Sequence, residues 1–305
     1  MGRHGRTGAE RADARLTRPP VDGVDPAWLR LRGPADVQAR TSFASGLAHD
    51  LAQHLSGLAT DGVDERRGDA SDVVRLVDVG AGTGAGARWL RDRLTDRLPA
   101  QQHWRLVDHD PDLLACAGPT TDGWAHGVVA TVDHLPRLLA DEPADVISCQ
   151  ALLDVLTAPE VDAMVEPTVQ AGAAVLLALS VTGEVALSPV HRDDEMVAEA
   201  FDAHQRRAGR LGPDGAAYAA HALGRQGYTV TMAATPWHLG AADTDLLRAW
   251  LQGRADAAAE QSPDMGDRIR VWHENRDRQA RSTELSAVVG HVDLLGLPAR
   301  PGPPS

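Results

Sequence analysis

Between residues 75 and 181, short apolar runs alternate five times with stretches of helical periodicity, and this alternation constrains the chain more than any other feature. Residues 75–79, 104–107, 127–132, 145–149 and 173–181 read as strands. Residues 85–98, 111–116, 135–140 and 159–169 read as the helices between and after them. A helix after every strand forces neighbouring strands to run parallel, with helices on both faces of the sheet, so the expected class is doubly wound α/β. Residues 173–181 are almost wholly apolar, which suits a strand covered on both faces.

The flanks depart from this alternation. Trp28, Leu29, Leu31, Val37, Phe43, Leu47, Leu51 and Leu55 recur at helical spacing, which predicts an N-terminal helical segment over 22–60. A polar stretch over 61–72 links it to the first strand, and residues 1–21 and 298–305 are expected to be disordered tails. After 181 the pattern predicts helices over 193–207 and 213–226 and a strand over 228–233, with Gly227 as the helix C-cap. A further helical stretch fills about 242–283 before a final strand over 287–295, as an insertion into what would otherwise be a hairpin.

Composition removes several function classes. The 305 residues contain no lysine, so a Walker-A loop, a protein-kinase strand Lys, a pyridoxal Schiff base and a Tyr/Lys short-chain dehydrogenase site all lack an essential group. The net charge of −13 disfavours a nucleic-acid partner. Cys116 and Cys149 are far apart and without zinc-ligand spacing, so both are expected as small core residues rather than a disulfide or a metal site. The longest apolar run, 171–179, falls far short of the roughly 20 residues of a membrane helix, and the first twenty residues hold no apolar leader segment. A cytoplasmic protein without a membrane partner is the expectation.

The chemistry concentrates in Leu76-Val77-Asp78-Val79-Gly80-Ala81-Gly82-Thr83-Gly84, an apolar strand running into a glycine-rich turn that opens a helix. Such a turn lets a ligand lie against main-chain N–H groups at a helix N-terminus. Asp78 sits two positions before Gly80, where a carboxylate can meet a cationic group. At the end of the next strand, Asp108 can take both hydroxyls of a ribose. Gly80, Gly82 and Ala85 also fit G-x-G-x-x-A, so a nicotinamide-dependent oxidoreductase is an alternative.

From these residues the chain resembles the class I S-adenosylmethionine-dependent methyltransferases over roughly 73–235, and onward to 297. Asp78-Val79-Gly80-Ala81-Gly82-Thr83-Gly84 is similar to the family's first motif, E/D-x-G-x-G-x-G. Leu106-Val107-Asp108-His109-Asp110-Pro111 resembles its second-strand ending, and Asp133-His134-Leu135-Pro136 the D-x-L-P segment beside the adenine. The run from Ala144 to Leu152 resembles the fourth-strand motif beside the methionine moiety. The nearest likeness is to small-molecule enzymes of the trans-aconitate methyltransferase type. The resemblance implies a Rossmann-like, mostly parallel seven-stranded sheet with an antiparallel last strand, and S-adenosylmethionine as cofactor. It places Asp78, Gly80, Ala81, Gly82, Gly84, Asp108, His109, Asp133, His134 and Gln150 around that cofactor; Arg40 of the N-terminal segment is either a ligand of its carboxylate or a solvated helix arginine. The helical insertion departs from the family's short hairpin; it can cover the substrate site, form a homodimer contact or simply pack as an extra helical pair.

Methyl transfer from a sulfonium is an in-line displacement that chiefly needs alignment in a dry pocket. Ligands of open α/β sheets bind beyond the carboxyl ends of the strands, which brings forward Gln150, Asp154, Ser180, Thr182, Glu184, His191, Trp237 and His238. His191 is the candidate general base, and His291 is expected to be a packed histidine. Arg40 and Arg192 are available for a carboxylate-bearing acceptor. A protein that holds S-adenosylmethionine or S-adenosylhomocysteine without turnover is the third reading.

Overall fold

The computed structural model describes residues 24–42, 44–60, 73–98, 101–117 and 123–299. The tail expected at 1–21, residues 300–305 of the tail expected at 298–305, and the linker at 61–72 lie outside the described residues. Two helices, α1 (Pro26–Ser42) and α2 (Ala44–Thr60), open the fold. Then follow β1 (Val73–Val79), α3 (Ala85–Thr95), β2 (Gln101–Asp108), α4 (Pro111–Ala117), β3 (Ala125–Val129), α5 (Leu135–Asp141), β4 (Val146–Gln150), α6 (Ala158–Ala171) and β5 (Ala174–Ser188). The last third holds α7 (Asp194–Gln205), α8 (Gly215–Arg225), β6 (Thr229–Ala234), β7 (Trp237–Leu239), α9 (Thr244–Gln261), α10 (Gly266–Arg281) and β8 (Ser286–Leu297).

Among the described residues the strands form one sheet in the order β3-β2-β1-β4-β5-β8-β6, with β7 also paired to β8. β1 to β5 run parallel, and β8 enters antiparallel between β5 and β6. This is the expected doubly wound sheet with an antiparallel last strand, but it has eight strands rather than seven. The additional strand, β7, continues the β6 edge along β8 after Thr235-Pro236. Proline has no N–H to give the ladder, so the edge breaks there and resumes.

Alternate residues of the parallel strands feed two cores. Val77, Ile147, Val175 and Leu177 pack under α5, α6 and α8, while Leu76, Leu106, Val146 and Leu176 pack against α2 and α3. Local signals fix the helix ends. Thr157 and Glu160 form a capping box on α6, Asp110 Oδ1 accepts the N–H groups of Asp112 and Leu113 at the start of α4, and left-handed Gly227 follows α8. Cys149 is buried on β4, where desolvation pushes its thiol well up, but Cys116 is exposed on α4, contrary to the expectation of a core role. Helix α4 is only two turns long, and its single buried side chain is Leu113.

A third core lies beyond the carboxyl end of the sheet. β5 does not stop near 181 but runs to Ser188, and with β8 it makes a ribbon that carries the cap of α1, α7, α9 and α10. The insertion expected at about 242–283 is α9 and α10 of this cap. Trp237, Leu247, Leu251, Ile269 and Trp272 are buried within it. Buried Arg276 binds Asp194, the Pro189 carbonyl at 2.7 Å and Gln279 Oε1 at 2.8 Å, tying α10 to the start of α7. No described helix is long and apolar enough to cross a membrane.

Candidate functional site

The chain leaves β1 toward β2 on one side and returns to β4 on the other, so the order of connection reverses between β1 and β4. Open α/β sheets bind ligands at this crevice. The glycine turn sits on it. Gly80, Gly82 and Gly84 all have positive φ (68°, 53° and 71°), the left-handed conformation in which a side chain costs about 1–2 kcal/mol. The N–H groups of Gly80 and Ala81 both donate to the Val107 carbonyl, at 2.8 and 3.0 Å, which ties the turn to the end of β2. Helix α3 then begins without a side-chain cap, so its first N–H groups remain for a ligand.

Asp78 is 2% exposed and lies directly across from Ser148, whose hydroxyl donates to Asp78 Oδ1. Desolvation raises its pKa from 3.8 to about 6, against the lowering effect of the Ser148 hydrogen bond and of Arg40. Asp108 is also buried: Oδ2 accepts the Gly82 N–H at 2.7 Å and Oδ1 accepts the Asp110 N–H at 3.0 Å. It is therefore not the N-cap of α4, a role Asp110 fills. It joins the glycine turn to the β2 end, and His109 Nδ1 stands 3.3 Å from Oδ1.

Arg40 reaches this crevice from α1. It is 3% exposed, stacks 4.0 Å over the Trp89 ring and donates to Gln150 Oε1, and burial lowers it to about 10. Gln150 Nε2 is left buried without a hydrogen-bond partner. Apolar groups close over the turn. A Cβ on Gly80 would lie 2.6 Å from Leu152 Cδ2, and one on Gly82 would lie 3.4 Å from Leu29 Cδ1 of α1.

Other expected residues lie elsewhere. Asp133 and His134 sit past the end of β3 and are exposed, with Thr131 Oγ1 bonded to both. His191 does not join the turn. β5 continues from Ala178, level with Gln150, to Ser188, roughly 30 Å at strand rise, and His191 follows at the far end beside Asp193. Arg192 is exposed next to the same Asp193. His291 is packed as expected: it is buried 4.6 Å from the Trp237 ring, and desolvation lowers it to about 4.

Two carboxylates complete the crevice. Asp154, in the turn after β4, is pushed up by burial against the pull of Arg32 and Arg210. Asp293, missed at the sequence level, is wholly buried on β8. Its Oδ1 accepts the Leu179 N–H at 2.8 Å and the Thr235 hydroxyl at 2.9 Å, and Oδ2 has no partner. Leu179 is left-handed (φ 54°) at a register shift in β5, so Asp293 holds a bulge where β5 leaves the sheet. The sequence signal was a lone acid within Val288–Leu295. Ser148 and Trp89 were likewise unread.

The residues present fit a ligand with a cationic end and a polar, hydroxyl-bearing end. An orphaned Gln150 donor, a left-handed glycine cradle and a buried carboxylate at each of two adjacent strand ends face one crevice. Among the described residues no three His, Cys, Asp or Glu are placed to hold a metal ion.

No family model and no curated protein sequence matches the chain. Solved structures similar to it include the YcgJ protein from Bacillus subtilis, with 13% identity over 81% of this chain and 99% of that one and a TM-score of 0.45. A SAM-dependent methyltransferase from Thiobacillus denitrificans in complex with S-adenosyl-L-homocysteine is 17% identical over 80% and 90%, with a TM-score of 0.37. The cyclopropane synthase MmaA2 from Mycobacterium tuberculosis is 12% identical over 72% and 78%, with a TM-score of 0.39.

Proposed function

We propose that the protein is an S-adenosylmethionine-dependent methyltransferase acting on a small molecule. The observation that carries this reading is the pairing of Asp78, buried against Ser148, with Asp108 across a left-handed glycine turn at the switch point of the sheet. The bound cofactor would supply an electrophilic methyl group. Asp78 would hold the cofactor's ammonium, Asp108 with His109 would face its ribose, and the uncapped start of α3 and Arg40 suit its carboxylate. Gln150 Nε2 offers a further donor. Asp133 and His134, at the end of β3, are assigned to the adenine edge.

The protein's share of the chemistry is alignment and exclusion of water. Leu29 and Leu152 cover the glycine turn, and α1 fixes Arg40 by stacking it on Trp89. Desolvated carboxylates at Asp78, Asp154 and Asp293 favour a positively charged group in the crevice. Asp154, in the turn after β4 and within the electrostatic reach of Arg32 on α1, is the group offered to accept a proton from an acceptor. His191, remote from the turn, is not given that role. The antiparallel β8 between β5 and β6 disfavours the nicotinamide reading, whose sheet is the parallel order 3-2-1-4-5-6.

The test is calorimetric titration of the protein with S-adenosylmethionine, S-adenosylhomocysteine, NAD and NADP, followed by turnover with a small-molecule acceptor panel. Binding of the first two alone supports the reading. Binding of a nicotinamide nucleotide instead overturns it, and binding without turnover across the panel favours a non-catalytic holder of the same ligands.

A further inference from the structure

The cap contains a second concave site. Val181, Val185, Phe201, Trp250, Val289 and Pro213 wall a small cavity of about 60 Å³, partly open to solvent, between the β5–β8 ribbon and helices α7 and α9. Arg254 of α9 lines it and is 5% exposed. Its guanidinium carbon lies 4.4 Å from the Phe201 ring centre and 5.2 Å from that of Trp250, and Nη2 is buried with no hydrogen-bond partner among the described residues. Burial lowers its pKa to about 10.

Two acids influence Arg254 electrostatically, and neither neutralises it at contact. Asp194 is occupied by Arg276 and by the Trp272 indole N–H. Asp202 also lines the cavity, yet forms no ion pair with Arg254, and desolvation raises its own pKa. A cation and an anion thus line one small apolar-walled space without meeting. A buried guanidinium in this state is costly to the unliganded fold unless something else satisfies it.

We propose that this cavity binds a small apolar α-amino acid, with its carboxylate on Arg254, its ammonium on Asp202 and its side chain against the valines and Trp250. Opposite charges on one ligand match the opposite charges of the walls. A phosphate or dicarboxylate would add uncompensated negative charge beside Asp202. The site is separate from the glycine turn and does not depend on the methyl-transfer reading.

The test is isothermal calorimetry and thermal shift of the full chain with L-valine, 3-methylbutanoate and 2-methylpropylamine, without any cofactor present. Valine is expected to bind and raise the Tm, and each analogue, lacking one charge, to bind at least tenfold more weakly. Arg254→Met should abolish binding while leaving the unliganded Tm unchanged or raised by about 2–4 °C, because an unsatisfied charge leaves the core. Val185→Phe fills the cavity without touching either charge and should also abolish binding. The proposal is overturned by absence of valine binding at 20 mM, by equal binding of valine and the amine, or by wild-type affinity in either variant.

Discussion

Replacing Asp78 by Asn separates the binding role of this residue from any structural one. The carboxyl has a pKa of about 6 in the fold and 3.8 as a free group, so between these values the folded chain holds a proton that the unfolded chain has released. Stability therefore falls as pH rises from about 4 to 6, and above 6 the penalty is constant. At 1.36 kcal/mol per pKa unit it amounts to about 3 kcal/mol. Asn keeps the shape and accepts the Ser148 hydroxyl, but its extra N–H groups need partners, which offsets roughly 1–3 kcal/mol of the gain. The net expectation at pH 7 is a Tm equal to or above wild type, together with loss of the wild-type decline between pH 4 and 6. Cofactor affinity should move the other way. Loss of a charge-assisted hydrogen bond of roughly 1.5–3 kcal/mol weakens binding about 10- to 150-fold. Wild-type affinity should also fall tenfold per pH unit below about 6, where Asp78 is protonated, and the variant should lack that slope. Denaturant melts at pH 4 and 7, with calorimetry on S-adenosylhomocysteine, measure both effects. A variant several degrees less stable at pH 7 with undiminished affinity would make Asp78 a purely structural acid and refute the reasoning.

Gly82→Val places a β-branched side chain at φ 53° and pushes it toward Leu29, costing roughly 1–3 kcal/mol of stability. Binding of S-adenosylhomocysteine should be undetectable by calorimetry at temperatures where the variant is still folded. Arg276→Ala removes the ion-pair partner of Asp194 inside the cap and leaves it only the Trp272 and His191 N–H donors, and urea unfolding should register a loss of about 3–5 kcal/mol. Asp293→Ala strips the acceptor from the Leu179 N–H and the Thr235 hydroxyl. A loss of about 1–3 kcal/mol is expected, with faster amide exchange at Leu179.

The glycine turn and its acids were legible because their determinants are local. Asp78, the three glycines and the start of α3 lie within one strand–turn–helix unit, and Asp108 closes the next strand. The sheet followed from alternation, with strand ends displaced by a few residues where strand pairing continues past the expected run, as at Val73 and Gln150. The misses are long-range. Nothing near Cys116 indicates that α4 buries only Leu113, and nothing near Ser188 indicates that β5 continues as a ribbon whose alternate residues face a cap built from residues far downstream. His191 followed a strand and so was expected at the carboxyl end of the sheet. The strand proved longer, and the histidine was carried away with it.

The same ribbon explains why the glycine turn is readable from the sequence and the cap-side cavity is not. Asp293 and Leu179 are 114 positions apart, yet their hydrogen bond sets the bulge at which β5 turns from a sheet strand into a support for the cap. On the sheet side of that bulge stand Arg40, Gln150 and Asp78, joined by contact or by charge. On the cap side stand Arg254 and Asp202, brought to one cavity by α7 and α9 packing on the ribbon. Arg254 reads in sequence as one more charge on a polar helix, and its burial depends on Phe201 arriving from another element as well as on Trp250 of its own helix. Contacts between elements distant in sequence therefore build the cap-side cavity, whereas the glycine turn and its two acids are encoded turn by turn.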